Sequence, residues 1–175
     1  MTILAGTWMK EIATPEPAID PAAEVQRLFD EHGAALYRFA RSVLMNTADA
    51  EDIVQDTFLK LQRHLQAGGD RSNLRAWLFA VAANACRDRS RWRLRWLPWR
   101  AELDTRSVEP EDEAPDRRRA RASFVALAPR DRLLLSLRAQ GLSYREIAAA
   151  AGIAEASVGR LLARAVDRWK TRLNS

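Results

Sequence analysis

From Ala22 onward the apolar positions of this chain recur with a helical period, and nowhere do they alternate as a half-buried strand requires. Val25, Leu28, Phe29, Leu36, Ala40, Val43 and Leu44 fall near one face at 3.6-residue spacing and predict a first helix. The pair Asn46 and Thr47 interrupts it, and Thr47 is expected to cap the next helix through its hydroxyl. Ala50, Ile53, Val54, Thr57, Phe58, Leu61 and Leu65 then make the most regular stripe in the chain, predicting a second helix with one buried face. Gly, Asp, Ser and Asn crowd residues 67–73, a loop by composition. A third helix is expected to turn Leu74, Trp77, Leu78, Val81, Ala82 and Ala85 inward, run into an arginine block and stop by Pro98.

The pattern resumes near Asp116. Phe124, Val125 and Leu127 close one short helix, Pro129 suits the first turn of the next, and Gly141 ends that one. The run SYRE, Ser143 to Glu146, is a capping box, in which two side chains each satisfy an orphan N–H of a helix start. Ala148 is followed four residues later by Gly152, and a last helix carries Val158, Leu161, Leu162, Ala165, Val166, Trp169 and Leu173. A capped short helix, a glycine able to take a left-handed turn and a longer second helix have helix-turn-helix spacing. The expected fold is all-α: two small helical domains joined by a flexible acidic linker, the second holding the helix-turn-helix. The boundaries read as a loose tail over 1–21, a first domain over 22–98, a linker over 99–115 and a second domain over 116–175.

Charge sharpens this division. Residues 1–86 are net −3, residues 87–100 carry six Arg against one Asp, residues 101–116 are net −6 and residues 117–175 are net +9. Two basic blocks flanking an acidic one suggest two nucleic-acid surfaces on either side of a connector. One cysteine, Cys86, forbids an internal disulfide, and His32 and His64 cannot build a zinc site with it unless carboxylates complete the set. No apolar run approaches the roughly 20 residues of a membrane helix, and the first ten residues lack the basic start and cleavage site of a signal peptide.

Three constellations are candidates for function. The outward face of the last helix offers Glu155, Ser157, Arg160, Arg164 and Arg168, whose arginines can reach guanine edges or phosphates in a major groove; a plain hairpin with a solvated basic face is the alternative. Asp49, Asp52 and Asp56 share a face of the second helix opposite its apolar stripe, and can be a docking face, a solvated face or a carboxylate site for Mg²⁺-dependent nuclease chemistry. A single helix supplies poor metal geometry, so no metal or cofactor is expected. Trp92, Trp96 and Trp99 interleave with the arginines at helical spacing and suit unstacked bases, a protein partner or the domain's own core.

The runs LAPRDRL from Leu127, GLSYREIA from Gly141 and the pair Gly152 and Ile153 resemble region 4 of bacterial sigma factors. The run DAEDIVQDTFLKL from Asp49 resembles their region 2 core-binding helix, and NLRAWLFAVAAN from Asn73 to Asn84 their promoter-melting helix. The order of the two, with regions 1.1 and 3 lacking, is that of the extracytoplasmic-function sigma factors. The resemblance implies a non-enzymatic, cytoplasmic, monomeric initiation factor without cofactor or membrane segment, whose partners are RNA polymerase core, promoter DNA and an anti-sigma factor. It implies that Asp49, Asp52, Gln55 and Asp56 dock on polymerase. It implies that Asp70, Arg71, Ser72 and Asn73, in a loop that pockets a flipped base, act with Asn84, Arg87 and Arg91 on the −10 strand. Ser143, Arg145, Glu155, Ser157, Arg160, Arg164 and Arg168 would face the −35 duplex. The family's GTVKSR at the start of the recognition helix is ASVGRL here, so Gly159 stands for its Lys and Leu161 for its Arg. A stand-alone helix-turn-helix regulator is the nearest rival.

Overall fold

A computed structural model describes residues 20–96 and 114–174, with the side chains of 92–96 excepted. The tail over 1–19, the linker up to residue 113 and the tryptophan stripe through Trp99 lie outside the described residues or side chains. Seven helices and no strand are found among the described residues.

Helix α1 (Pro21–Leu44) starts on Asp20, whose carboxylate accepts from the Ala22 N–H at 3.0 Å. It ends at Met45, which takes a left-handed conformation (φ 58°) and donates its N–H to the Arg41 carbonyl. Helix α2 (Thr47–Gln66) is capped by Asn46 rather than by Thr47. Asn46 is extended, so its side-chain oxygen reaches forward to the Asp49 N–H at 2.8 Å, while Thr47 already lies in the helix. Its stripe is buried as expected at Ala50, Ile53, Thr57, Phe58, Leu61 and Leu65. Phe29 departs from expectation: it is 48% exposed, and Phe39 takes its place in the core, edge-on to Phe79 at 5.6 Å.

Helix α3 (Leu74–Trp96) packs on both α1 and α2. Its apolar residues were expected on one face, yet Phe79, Ala83 and Cys86 are buried together with Leu74, Leu78 and Ala82. The extra burial has a cause in the second half of the chain. Helices α4 (Pro115–Val125), α5 (Pro129–Ala139), α6 (Tyr144–Ala151) and α7 (Glu155–Leu173) form a compact unit whose α6 lies on α3 and whose α5 lies on α1. Leu133, Leu134, Leu137, Leu142, Ile147 and Val158 therefore belong to the same apolar cluster as Leu36, Phe39 and Leu78. The two domains read from the sequence share one core.

Polar ties reinforce that junction. Ser42 and Ser136 hydroxyls meet at 2.7 Å. Arg132 donates to the Val43 carbonyl near the end of α1 at 3.0 and 3.3 Å, and to the Val125 and Leu127 carbonyls of its own half at 3.0 and 2.6 Å. Burial works against the Arg132 charge, and the carbonyls around it offset that cost. Inside the second unit, Trp169 donates its indole N–H to the Ala120 carbonyl at 3.1 Å and meets Phe124 edge-on at 5.7 Å.

Candidate nucleic-acid interface

The helix-turn-helix forms as its sequence demands. Ser143 and Glu146 make both arms of the capping box: the Glu146 carboxylate accepts from the Ser143 N–H at 2.7 Å, and the Ser143 hydroxyl oxygen accepts from the Glu146 N–H at 3.3 Å. The Ser143 hydroxyl also donates to the Glu146 carboxylate at 2.8 Å. These bonds hold the Glu146 carboxyl below its ordinary range, with smaller help from Asn73 and Arg75. Gly152 ends α6 in the left-handed region at φ 64°, and α7 begins three residues later. On α7, Glu155, Arg160 and Arg164 are exposed while Ser157 is half-buried. Ser143 and Arg145 are exposed at the start of α6.

Arg168 behaves differently from its neighbours. Its Nη1 donates to both oxygens of the buried Asp131 carboxylate at 2.9 and 3.1 Å, tying α7 to α5. Gly159 also has a local role. A Cβ there would touch the Tyr144 ring at 3.4 Å, so the glycine sits where α7 approaches α6.

In the first half, Asp70 folds the loop before α3 by accepting from the Ser72 N–H at 2.9 Å and hydroxyl at 2.8 Å, which lowers its pKa. The His64 ring stacks on Trp77 at 4.8 Å and its Nε2 lies 2.9 Å from the Asp70 carbonyl. Gly69 lies directly against that ring, leaving no room for a side chain. Arg71 and Ser72 are exposed at the loop's tip. Asn73 opens α3, accepting from the Ala76 N–H at 3.0 Å. Its amide also donates to Glu146 of α6 at 2.7 Å, across the junction. Further along α3, Asn84 is exposed and accepts from Arg87, whose guanidinium lies over Gly152. Arg87, Ser90 and Arg91 line a cleft of about 490 Å³ with Arg130, Leu133 and Gly152 of the other half. Sequence reading did not single out Arg75, Arg130 or Arg132; all three face the junction, which no local pattern announces.

The carboxylate face of α2 is open. Asp52, Gln55 and Asp56 are exposed, and Asp49 is largely covered. Arg89 of α3 pairs with Asp52 at 3.1 Å and Asp49 at 3.5 Å. Among the described residues no group of His, Cys, Asp and Glu has the placement of a metal site. Gln55 borders an apolar groove of about 720 Å³ between α1 and α2, lined by Val25, Phe29, Tyr37, Val54, Phe58 and Leu59. Exposed Phe29 and Leu59 in a groove edged by Glu51, Gln55 and Gln62 form the kind of patch that marks a protein-binding surface.

An arginine-bearing helix-turn-helix joined to a second helical unit with an apolar groove defines a two-part DNA-binding transcription factor. Comparison with known proteins narrows the class. Sigma-70 region 2 matches residues 28–96, and Sigma-70, region 4 matches residues 117–168. The ECF RNA polymerase sigma factor SigL of Mycobacterium tuberculosis is 36% identical over 164 residues, covering 87% of this chain and 90% of that protein. The RNA polymerase sigma factor CarQ of Myxococcus xanthus is 33% identical over 132 residues, covering 72% and 75%. Among solved structures, the sigma factor RpoE of Bartonella quintana, crystallised with the anti-sigma factor NepR, superposes with a TM-score of 0.71 at 27% identity, covering 86% of this chain and 97% of that one. CnrH in complex with the cytosolic domain of CnrY gives 0.64 at 26% identity, covering 90% and 92%. This chain belongs to the extracytoplasmic-function group of the sigma-70 family: it is an RNA polymerase sigma factor that directs promoter recognition and transcription initiation.

Proposed function

We propose a division of labour among the exposed residues. Asp52, Gln55 and Asp56, with Asp49 behind them, form the polymerase-docking face. The observation that supports this assignment is that Asp52, Gln55 and Asp56 are exposed on α2 and that Gln55 also borders the apolar groove: the groove gives a partner area to bury, and the carboxylates further round the helix give orientation. Arg71, Ser72, Asn73, Asn84, Arg87 and Arg91 make up a polar and basic track on α3 and the loop before it, suited to the phosphates and unstacked bases of the −10 strand. Asp70 serves by shaping the loop. Arg160 and Arg164, with Arg145, Ser143, Glu155 and Ser157, face the −35 duplex, while Arg168 acts through Asp131 as a brace for α7.

The chain performs no covalent chemistry in this reading; binding energy drives strand opening, in the cytoplasm, and the sigma factor acts as a monomer. Domain boundaries at 22–98 and 116–175, with 99–115 as connector, fit this division. RpoE and CnrH were each crystallised with an anti-sigma protein, which supports an anti-sigma partner for this chain too. The test is run-off transcription with purified core polymerase on a promoter library. Promoter-specific transcripts that need this chain are expected. Footprints on duplex DNA without polymerase would favour a stand-alone regulator instead.

A further inference from the structure

Helices α1 and α2 leave an apolar groove of about 720 Å³ between them, and no described residue outside these two helices lines it. Phe29 and Leu59 stand in its walls 48% and 44% exposed. Gly33 and Ala34 line the α1 side with little or no side chain, which leaves depth for a bulky group beside the edge-on pair Phe29 and Phe58. So large an apolar opening calls for an occupant.

The groove's place in the chain says what can reach it. Val25, at one end of the groove, lies about one turn after Pro21, where α1 begins. Residues 1–19 join the described chain at that same end. They hold Leu4, Trp8 and Ile12 at four-residue steps, with Ala5 next to Leu4, whereas Thr2, Thr7 and Lys10 fall at other positions. On a helix the three large apolar residues share one face and the polar ones lie off it. Pro15 and Pro17 then stand between this run and α1, and proline does not continue a helix.

Lengths agree. From Val25 to Tyr37 the groove follows α1 for about 18 Å, and a helix over residues 3–12 is about 15 Å long. Residues 13–20 can extend to roughly 26 Å, while packed helices stand only about 8–10 Å apart. A tether of that length holds the segment near the groove at roughly millimolar effective concentration, ahead of a partner in dilute solution.

We propose that residues 3–12 dock in the α1–α2 groove of their own chain, antiparallel to α1. Ile12 lies toward Val25, Trp8 over Phe29, Gly33 and Phe58, and Leu4 toward Tyr37. A protein approaching this side then meets Thr7 and Lys10 in place of Phe29 and Leu59. Asp52 and Asp56 are not among the groove's lining residues and stay exposed, so this docking is independent of what binds those carboxylates.

Leu59 is the place for a photoreactive probe, because it lines the groove and its exposure tolerates a larger side chain. The full chain carrying p-benzoylphenylalanine at position 59 is irradiated and digested. Adducts to residues 3–12 of the same chain are expected, with a yield independent of protein concentration. Trp8→Ala/Ile12→Ala is expected to lower that yield by about tenfold or more, as the burial of both side chains is lost. Adducts formed only between two chains would give the groove to a second copy and overturn the proposal, as would adducts confined to segments other than the tail. Hydroxyl-radical footprinting reads the groove without a probe. Oxidation of Phe29 and Leu59 is expected to rise severalfold in the Trp8→Ala/Ile12→Ala chain, while that of Tyr144, exposed on α6, stays constant. Equal oxidation of Phe29 and Leu59 in the two chains would also overturn the proposal. Both readouts are made without polymerase or promoter DNA, so they stand or fall apart from the docking and promoter assignments.

Discussion

Single residues in this protein do local structural work that their neighbours' functions depend on. Gly69 has the His64 ring against its Cα, and that ring is held by Trp77 and the Asp70 carbonyl. Gly69→Ala must displace the ring, which costs about 1–3 kcal/mol in line with other overpacking changes; a lowered urea midpoint with unchanged slope is the expected readout. Glu146 gives a pH signature. Its folded pKa lies below the ordinary 4.5 because the charged form accepts bonds from Ser143 first and Asn73 afterwards. A depressed carboxyl contributes stability that is complete above the unfolded value and lost as pH falls through the folded one. The stability gap between wild type and Glu146→Gln is therefore expected to be constant above about pH 5 and to shrink on further acidification. A gap that grew on acidification would contradict the bonding seen here.

At the scale of elements, α7 carries two separable roles. Gly159 is helical and faces Tyr144 at ordinary contact distance. Gly159→Ala is thus expected to stabilise the chain by up to about 1 kcal/mol through helix propensity, with Tyr144 giving slightly; calorimetry reads it. Arg160 and Arg164 lie one turn apart on the exposed face. Replacing a base-reading arginine by Ala is expected to cost about 1–3 kcal/mol and relax preference at one −35 position, while a phosphate contact would weaken all sequences and flatten the salt slope by about one unit. Holoenzyme binding to −35 variants at several salt concentrations separates the two. Wild-type affinity, preference and salt slope in both variants would show that α7 does not read the duplex. The element-level pattern was largely legible. The capping box, Gly152 and the α2 stripe are local signals, set within a few residues of one another. The cap of α2 was misread because Asn46 and Thr47 both suit the position, and only backbone geometry chooses between them.

For the whole molecule, the continuous apolar cluster through Leu78, Leu134 and Ile147 predicts that the halves unfold together. Wild type is expected to show one calorimetric transition, and Ser42→Asp/Ser136→Asp two, as the shared burial is lost. Replacing Asp52 and Asp56 by Ala is expected to weaken core polymerase binding without lowering the melting temperature, since both are exposed; equal core affinity in a titration would remove them from the docking face. The apolar groove between α1 and α2 was not legible. Periodicity placed Phe29 with the buried set, but its ring meets Phe58 edge-on at 5.1 Å at the mouth of the groove and stays half in water.

The sequence alone determined the helices, the helix-turn-helix, the order of the two regions and the family, because these rest on spacing and capping within a turn or two of the chain. The tertiary structure alone decided that α3 is buried on a second side, that Arg168 belongs to Asp131, that Arg132 caps α1 from the other half and that Asn73 is held by Glu146. Each of these joins residues 37 to 89 positions apart. Such pairings depend on how finished helices pack, and helical periodicity says which face is apolar but not what will cover it.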